Sequence, residues 1–499
     1  MSAGNHDNHR LARNVAAMAG GQMVTWSMSL IWTLVVPRVL GPASMGIIVA
    51  AWSATGVLGL LLGLGTRNYL VREMVVREED SSRLLGTAIV LRLALTPLFA
   101  GGTLIYAQLA HIGGEAAVVL YLAVAATIFT QLAEPLQAAF QAIERMEYLA
   151  YSEVINKSAQ GLVGVAVALV GLGAIGITGT WAAMTGLVVV LDILWLRRRV
   201  HISIRTTLAL LRDMIKQSMA YWAFGVFFTI YLWIDALMLS LMTRPEVVGW
   251  YGVPMKLFQT FMFLPVVIAT AWLPRLVRTF VDEGPEALRH AARRPLELVF
   301  VLGLPISAAI AVGAKPFVDI VYGASYAESI PVLSILALCI LPMYLGIVLS
   351  QVFVAEERQS AWTWLMGIAT IVNPLLNLVL IPFAEDRFGN GAIGAATALL
   401  LTEVVIVSIG FVLVGRGVVD RRIMRRTALT AFASLAMWFA GIATRPLGTV
   451  VSLATAAATF LALVVALRLI TPEERALVSR VVSRRLPRLV RRRPAVAPE

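Results

Sequence analysis

The residues of this sequence with the most chemical potential are charged side chains inside long apolar stretches. A charged group at the centre of a helix in a bilayer costs roughly 2.5–3.5 kcal/mol on insertion scales, so it usually faces a partner or a water-filled cavity. These side chains are the first candidates for binding an ion or a charged substrate. They are Arg92, Glu134, Glu153, Lys157, Asp192, Asp235, Lys256, Glu297 and Glu403.

Asp235 and Lys256 have a spacing that favours a shared site. Asp235 lies seven residues before the end of one predicted span, 216–242, and Lys256 lies nine residues after the start of the next, 247–273. If these helices are antiparallel, both side chains lie roughly 10–14 Å from the same membrane boundary at 1.5 Å per residue. We expect them to meet, either as a packing ion pair or as a pair that exchanges its charge with a proton, cation or phosphate.

Four other charges have a structural explanation. Glu153 and Lys157 are spaced i,i+4 on one helical face and are expected to neutralise each other. Asp192 and Glu297 lie near basic ends of their spans, where they can reach arginines at the membrane interface. These four residues are therefore weaker functional candidates.

Arg92 and Glu403 lie well inside the third and twelfth predicted spans, and no partner for either follows from spacing. They are further candidates for a polar cavity. The seventh span is unusually aromatic and includes Tyr231 and Trp233. Aromatic rings beside charges suit sugar stacking and cation contact, although anchoring at the membrane interface and core packing are the more common reasons for such residues.

The elements that carry these residues are apolar helices. The 499 residues are 59% hydrophobic and 14% charged, with a mean hydropathy of +0.82. About 20 apolar residues suffice to cross a hydrocarbon core of about 30 Å, so we expect an all-α integral membrane protein of about fourteen transmembrane helices. The predicted spans are 14–36, 44–65, 84–107, 117–140, 153–172, 174–196, 216–242, 247–273, 295–314, 328–353, 361–383, 391–414, 427–443 and 448–468.

The distribution of Lys and Arg predicts the orientation of the chain. Basic residues concentrate in alternate loops, such as those after Arg197 and Arg275, whereas Arg38 and Arg244 stand alone in theirs. By the positive-inside rule we expect a multi-pass protein of the cell (inner or plasma) membrane with both termini in the cytoplasm. The basic tail, 469–499, is expected to lie on anionic lipid, at about 1 kcal/mol per basic residue.

Motifs for nucleotide or metal binding are absent from the sequence or lie where they cannot form the required structure. The segment Gly171 to Gly176 fits the dinucleotide-binding spacing but joins two apolar helices, so a tight turn is expected. None of the four lysines follows a glycine as the Walker A loop requires, and the five histidines show no ligand spacing. The net charge of +12 comes from residues between and beyond the apolar stretches. We expect no catalytic residue, metal site, cofactor or nucleic-acid partner, and no enzyme activity.

A faint internal repeat is present at an offset of 203 residues. It aligns Pro42 with Pro245, Gly46 with Gly249, Leu70 with Leu273 and Arg72 with Arg275. These positions mark the first outer turn and the cytoplasmic end of the following helix, so they predict two six-helix lobes in the same orientation, with the substrate route between them. The predicted divisions are an N-lobe at 1–200, a C-lobe at 201–415, two further helices at 416–468 and the tail.

Short motifs also occur in a fixed order along most of the chain. They are Leu40-Gly41-Pro42, Gly46, Leu70 to Glu73, Asp235 to Met238, Val248 to Gly252, Phe263 to Pro265, Leu273 to Arg275, Tyr326 to Ile330, Val354 to Glu356, Asn373 to Asn377 and Gly391 to Glu403. This set resembles the oligosaccharide flippases, the Wzx-type polysaccharide exporters. The resemblance implies the multidrug/oligosaccharidyl-lipid/polysaccharide exporter fold, with two six-helix lobes in a V around a central cavity and, here, two extra helices.

The resemblance further implies a function. Such a flippase moves a polyprenyl-diphosphate-linked oligosaccharide from the cytoplasmic to the outer leaflet by alternating access, in cell-surface polysaccharide biosynthesis. The expected partners are that lipid-linked oligosaccharide, membrane lipids and polysaccharide assembly proteins. We assign candidate roles as follows: diphosphate and cavity contacts to Arg67, Arg72, Arg92, Lys256 and Arg275, ion coupling to Asp235 and Glu403, and sugar stacking to Tyr231 and Trp233.

Two alternatives share this fold: a drug/cation antiporter and a lipid II flippase. The motifs favour the oligosaccharide branch. A membrane glycosyltransferase would normally place an acidic catalytic residue in a sizeable extramembrane loop, and the loops predicted here are short. A scaffold without transport activity does not explain the scattered charges inside the spans.

Overall fold

A computed structural model of the chain describes the backbone of residues 3–200, 202–415 and 417–470. Within these ranges, side chains are described from residue 24 onward, except those of Ala220 and Phe224. The regular structure of the described residues is helical throughout, as the hydropathy pattern predicts. The predictions for the basic tail from residue 471 onward lie outside the described residues.

Sixteen α-helices cover the described part of the chain. The helices of its first half are α1 (Ala3–Leu58), α2 (Leu60–Gly63), α3 (Thr66–Val76), α4 (Ser81–Leu109), α5 (Gly114–Ala142), α6 (Met146–Leu169), α7 (Gly173–Leu196) and α8 (Leu208–Met242). Those of its second half are α9 (Pro245–Thr260), α10 (Phe263–Glu283), α11 (Pro285–Phe317), α12 (Ser329–Ala355), α13 (Gln359–Phe388), α14 (Gly391–Val414), α15 (Arg421–Ala443) and α16 (Thr449–Ala466).

Helix α1 is a hairpin of two arms rather than one rod. Its helical geometry is interrupted at Gly41, where φ is 76°, a backbone conformation that glycine adopts without strain. Trp32 and Trp52 lie on opposite sides of this break, and their ring centres are 5.6 Å apart. Twenty residues of a straight helix would separate them by about 30 Å, so the two arms must fold back on each other. Helix α1 therefore supplies the first predicted span and most of the second.

The second and eighth predicted spans are each divided among several helices. The second span continues through α2 and α3, with left-handed backbone at Leu64 and Gly65, and the eighth span is divided into α9 and α10. Twelve segments of the described chain are long and apolar enough to cross a membrane, and the first, Val24–Val76, contains both the fold-back at Gly41 and the break after α2. Together with the more charged α6, these helices account for the fourteen predicted spans.

The helices pack as two lobes joined along α1. In the first half α1 packs against α6 and α5 against α7, and in the second half α11 packs against α12 and α13 against α14. Helix α1 also packs against α8 and α9, which belong to the second lobe. This arrangement matches the predicted pair of six-helix lobes around a central cavity, whereas the exact lobe boundaries stay a prediction.

The last two helices, α15 and α16, pack against each other and against α11. An ion pair anchors them, since a guanidinium nitrogen of Arg426 lies 2.7 Å from a carboxylate oxygen of Glu297 on α11. Arg426 also donates to the carbonyl oxygen of Leu469. Glu297 thus contacts the side chains of Arg426 and Arg294, in agreement with the predicted contact with arginines.

Candidate functional site

The candidate site is a cavity of about 320 Å³ between the two lobes, which we call the central cavity. Helices α1, α5, α6 and α7 of the first lobe and α8 and α9 of the second contribute its walls. Three tryptophans and two lysines dominate the lining: Trp52, Trp181, Trp233, Lys157 and Lys256. Of the described side chains, none that lines it carries a carboxylate. The cavity is therefore aromatic and cationic.

Lys256 lies beside two tryptophan rings, that of Trp52 in the cavity lining and that of Trp32 behind it in α1. Its ammonium nitrogen is 3.8 Å from the ring centre of Trp32 and 4.6 Å from that of Trp52. Ring faces attract the ammonium electrostatically, and each contact of this kind is worth about 0.5–2 kcal/mol. Such contacts hold the lysine without neutralising it, so its charge remains available to an anion.

The predicted meeting of Lys256 with Asp235 does not occur. Asp235 is buried and accepts hydrogen bonds from the hydroxyl of Tyr251 at 2.7 Å and from Nδ2 of Asn377 at 2.6 Å. Tyr251 and Lys256 are five residues apart on α9, which places their side chains about 140° apart around the helix. The face that reaches Asp235 is therefore not the face that carries Lys256. Helical rotation therefore separates the two groups, and their depth in the membrane stays a prediction.

Asp235 instead belongs to a buried polar cluster inside the second lobe. Nδ2 of Asn377 also donates to Oδ1 of Asn373 at 2.9 Å, and both asparagines lie on α13. The cluster thus links α8, α9 and α13 through one carboxylate. Among the described residues, no group of three or more His, Cys, Asp and Glu side chains has the arrangement of a metal site.

Arg92 has a partner that spacing did not reveal. It is almost fully buried and lies 2.7 Å from a carboxylate oxygen of Glu134, which is 31% exposed. Arg92 does not line the central cavity. Glu134 neutralises much of its charge, so the first lobe presents this arginine as one half of an ion pair.

The two predicted sugar-stacking residues have different surroundings. The hydroxyl of Tyr231 donates to Oε1 of Glu403, and both side chains are buried. This contact joins the sugar-stacking candidate Tyr231 to the ion-coupling candidate Glu403. Little of the Tyr231 ring remains accessible. Trp233, in contrast, lines the central cavity and is the one of the two rings that a ligand there would meet.

Three of the arginines predicted to contact the diphosphate lie on helices that follow cavity-lining segments along the chain. Arg67 and Arg72 are on α3, and Arg275 is on α10. Arg72 and Arg275 are exposed and Arg67 is half-buried. None of the three lines the central cavity, and the structure does not bring them together with Lys256.

Sequence reasoning missed several cavity residues. Lys157, expected to pair with Glu153, also lines the central cavity, together with Gln131 and Trp181. Trp32 and Trp52 meet only because α1 folds back at Gly41. A proline after the glycine, in Gly41-Pro42, was a signal for a turn, but not for the angle between its arms.

Tight contacts between the lobes bound the cavity at both ends. On the side of Gly41, a β-carbon on Gly46 would collide with the carbonyl oxygen of Pro245, and one on Gly249 would collide with that of Pro42. On the other side, Nε1 of Trp222 on α8 donates to the carbonyl oxygen of Leu60 at 3.0 Å. The two lobes thus contact each other closely at both of these places.

Comparison with known proteins agrees with this architecture. Residues 11–280 match the sequence pattern of a family described as polysaccharide biosynthesis protein, and residues 223–379 match the MatE family. No curated protein sequence matches significantly.

Two solved structures have a similar fold. A lipid II flippase MurJ in an inward closed conformation has a TM-score of 0.71 at 14% identity, over 92% of this chain and 99% of that one. An inward-facing multidrug resistance transporter of the MATE family has a TM-score of 0.65 at 14% identity, over 78% of this chain and 94% of that one. At this identity the similarity establishes a shared fold of two helical lobes.

Proposed function

Because the chain belongs to the polysaccharide biosynthesis protein family, we propose that it is a flippase for a polyprenyl-diphosphate-linked oligosaccharide. It moves this lipid from the cytoplasmic to the outer leaflet by alternating access, for cell-surface polysaccharide biosynthesis. The observation that carries the proposal is the composition of the central cavity, in which two lysines and three tryptophans line a space without a lining carboxylate. A ligand with an anionic group and amphipathic rings complements such a surface.

The diphosphate is the anionic part of this substrate. Lys256 is held by its ring contacts and Lys157 lines the same cavity, so two ammonium groups can share the phosphates. The exposed arginines Arg72 and Arg275, with Arg67, capture the headgroup at the cytoplasmic mouth. Arg92 acts more indirectly, through its ion pair with Glu134.

Coupling to an ion gradient is assigned to Asp235 and Glu403. Both are acidic, buried and held by neutral hydrogen-bonding side chains, Asp235 by Tyr251 and Asn377 and Glu403 by Tyr231. A buried carboxylate without a cationic partner is costly, and a bound cation or proton relieves that cost. Because the Asp235 cluster joins three helices of the second lobe, a change in its charge alters how those helices pack.

The membrane orientation follows from the basic loops. The protein lies in the cell membrane with both termini on the cytoplasmic side. The lobes comprise residues 1–200 and 201–415, and residues 416–468 form the additional helices. The contact between Gly46 and Pro245 then closes the outer exit of the cavity, and the contact between Trp222 and Leu60 closes the inner one. Polysaccharide assembly proteins are the expected partners on the outer side.

The charge of the cavity also argues against the main alternative function, a drug/cation antiporter. An antiporter for cationic drugs needs an anionic or neutral cavity, whereas this one carries two lysines. Lipid II has the same polyprenyl-diphosphate chemistry, and the fold shared with a lipid II flippase makes it the second candidate substrate. Its sugars, and not its diphosphate, distinguish it from other lipid-linked glycans.

Reconstitution into vesicles tests the proposal. A short-chain polyprenyl-diphospho-oligosaccharide is placed in the outer leaflet, and its loss from the reach of a membrane-impermeant lectin is followed over time. We expect the purified protein to accelerate this loss over empty vesicles. If the lipid is lost from the lectin's reach at the same rate in protein-containing and empty vesicles under every ion gradient, and the protein instead exports a cationic dye, the chain would be assigned to the antiporters.

A further inference from the structure

We propose that the central cavity contains a saccharide subsite in which Trp52 and Trp181 pack on the first sugar and Gln131 binds its hydroxyl groups. The inference rests on the proposed flippase function and specifies which part of the substrate this cavity recognises. It extends the lysine contacts to the diphosphate, because the sugar attached to that diphosphate must lie beside it.

The tryptophans supply two walls at nearly a right angle. The ring centres of Trp52 and Trp181 are 5.8 Å apart and their planes meet at 82°. Trp233 lines the same cavity from the other lobe. A pyranose ring has an apolar face of C–H groups and a rim of hydroxyls, so it can stack on one aromatic ring while its rim stays free for polar contacts. Such a corner suits a flat, amphipathic ring better than a flexible chain.

Polar groups that lack an internal partner lie beside these rings. Nε1 of Trp52 and Oε1 of Gln131 are buried, and in the described part of the chain neither has a hydrogen-bond partner. One is a donor and the other an acceptor, and a sugar hydroxyl can serve both. A buried polar group left unpaired costs about 1–3 kcal/mol, so a hydroxyl-bearing ligand gains affinity by satisfying them.

The remaining lining and the size point to the same ligand. Thr127, Thr130 and Gln160 add hydroxyl and amide groups, which suit neutral hydroxyls. At about 320 Å³ the cavity is at the lower end of the range of about 300–1,000 Å³ for ligand sites. It has room for a diphosphate with the adjoining sugar and not for a long glycan. The first sugar is therefore the part of the glycan that this cavity selects.

Paired binding measurements on the full-length protein in nanodiscs test the subsite. The probes are farnesyl diphosphate and farnesyl diphosphate carrying one N-acetylglucosamine. We expect the wild-type protein to bind the glycosylated lipid about tenfold more tightly. Trp181→Leu should abolish this preference, so that both lipids bind with about the same Kd. The Kd for farnesyl diphosphate itself should change less than about twofold. Trp181→Phe should restore part of the preference, because it retains an aromatic face.

Two controls separate this inference from the function on which it rests. Trp364→Leu removes a tryptophan that is 74% exposed and remote from the cavity, and it should leave both affinities unchanged. Gln131→Leu, as a second variant should Trp181→Leu fail to fold, should also reduce the preference. Equal binding of both lipids by the wild-type protein would overturn the saccharide subsite and leave the flippase proposal standing. Binding of neither lipid would overturn both.

Discussion

Gly46 lies directly against the carbonyl group of Pro245, and the equivalent residue of the second lobe, Gly249, lies against the carbonyl group of Pro42. These are the proline and glycine positions that the internal repeat aligns. The repeat thus marks a reciprocal contact, in which each lobe supplies the glycine that accommodates the other lobe's backbone. Only a residue without a β-carbon permits this approach.

Gly46→Ala should therefore prevent the outer contact from closing, because its methyl group would occupy the place of the Pro245 carbonyl oxygen. We expect Thr55→Cys, which lies in the cavity lining, to react faster with an impermeant maleimide added from outside when combined with Gly46→Ala. A Cys339→Ser background removes the only native cysteine, itself buried. Gly101→Ala, with open space at its β-position, is the matched control. Identical labelling of the two glycine variants would contradict a gate at this contact.

Lys256→Gln should reduce transport of a lipid-linked oligosaccharide by about tenfold or more, because a charged hydrogen bond to phosphate is worth about 1.5–3 kcal/mol. Lys256→Arg, which keeps the charge, should retain more activity. Transport in reconstituted vesicles measures both. Lys315→Gln removes an exposed lysine paired with Asp319 and should have no effect. Normal transport by Lys256→Gln would exclude this ammonium group from the substrate site.

Asp235→Asn should abolish transport or separate it from the ion gradient, while leaving membrane insertion intact. The amide oxygen can still accept from Tyr251, so the cluster keeps its packing but loses its charge. Transport with and without a proton or sodium gradient is the measurement. Asp319→Asn, at an exposed site, provides the control. An unchanged gradient dependence in Asp235→Asn would remove this residue from coupling.

Replacing both Arg72 and Arg275 with glutamine should weaken substrate capture at the cytoplasmic mouth. We expect a several-fold rise in KM with little change in kcat, because these exposed residues meet the substrate before it enters the cavity. The double replacement of Arg421 and Arg422, also exposed and basic, matches the change in net charge. An equal rise in KM for both pairs would indicate a general charge effect and not a specific capture site.

Sequence reasoning predicted the helices well because hydrophobic length is a local property. Most predicted spans correspond to one helix or to an arm of α1, while the second continues beyond α1 and the eighth is divided into α9 and α10. The fold-back occurs at Gly41, within a predicted turn. The repeat pairing Gly46 with Gly249 also proved to mark a real contact, although spacing alone did not show that the two positions lie face to face.

The site was less predictable because it depends on how helices are rotated. Asp235 and Lys256 contact different neighbours, Asn377 in one case and Trp32 in the other. Arg92 meets Glu134 across two helices, which no spacing within one helix could reveal. Side-chain partners across a bundle are set by packing angles, and these are not encoded in a local pattern.

The most direct test of the central claim is the leaflet distribution of polyprenyl-diphosphate-linked glycans in cells from which the gene is deleted. We expect these glycans to accumulate on the cytoplasmic leaflet, and expression of the wild-type protein, but not of Lys256→Gln, to restore their transfer to the outer leaflet. An unchanged distribution, with altered sensitivity to cationic drugs instead, would contradict this claim.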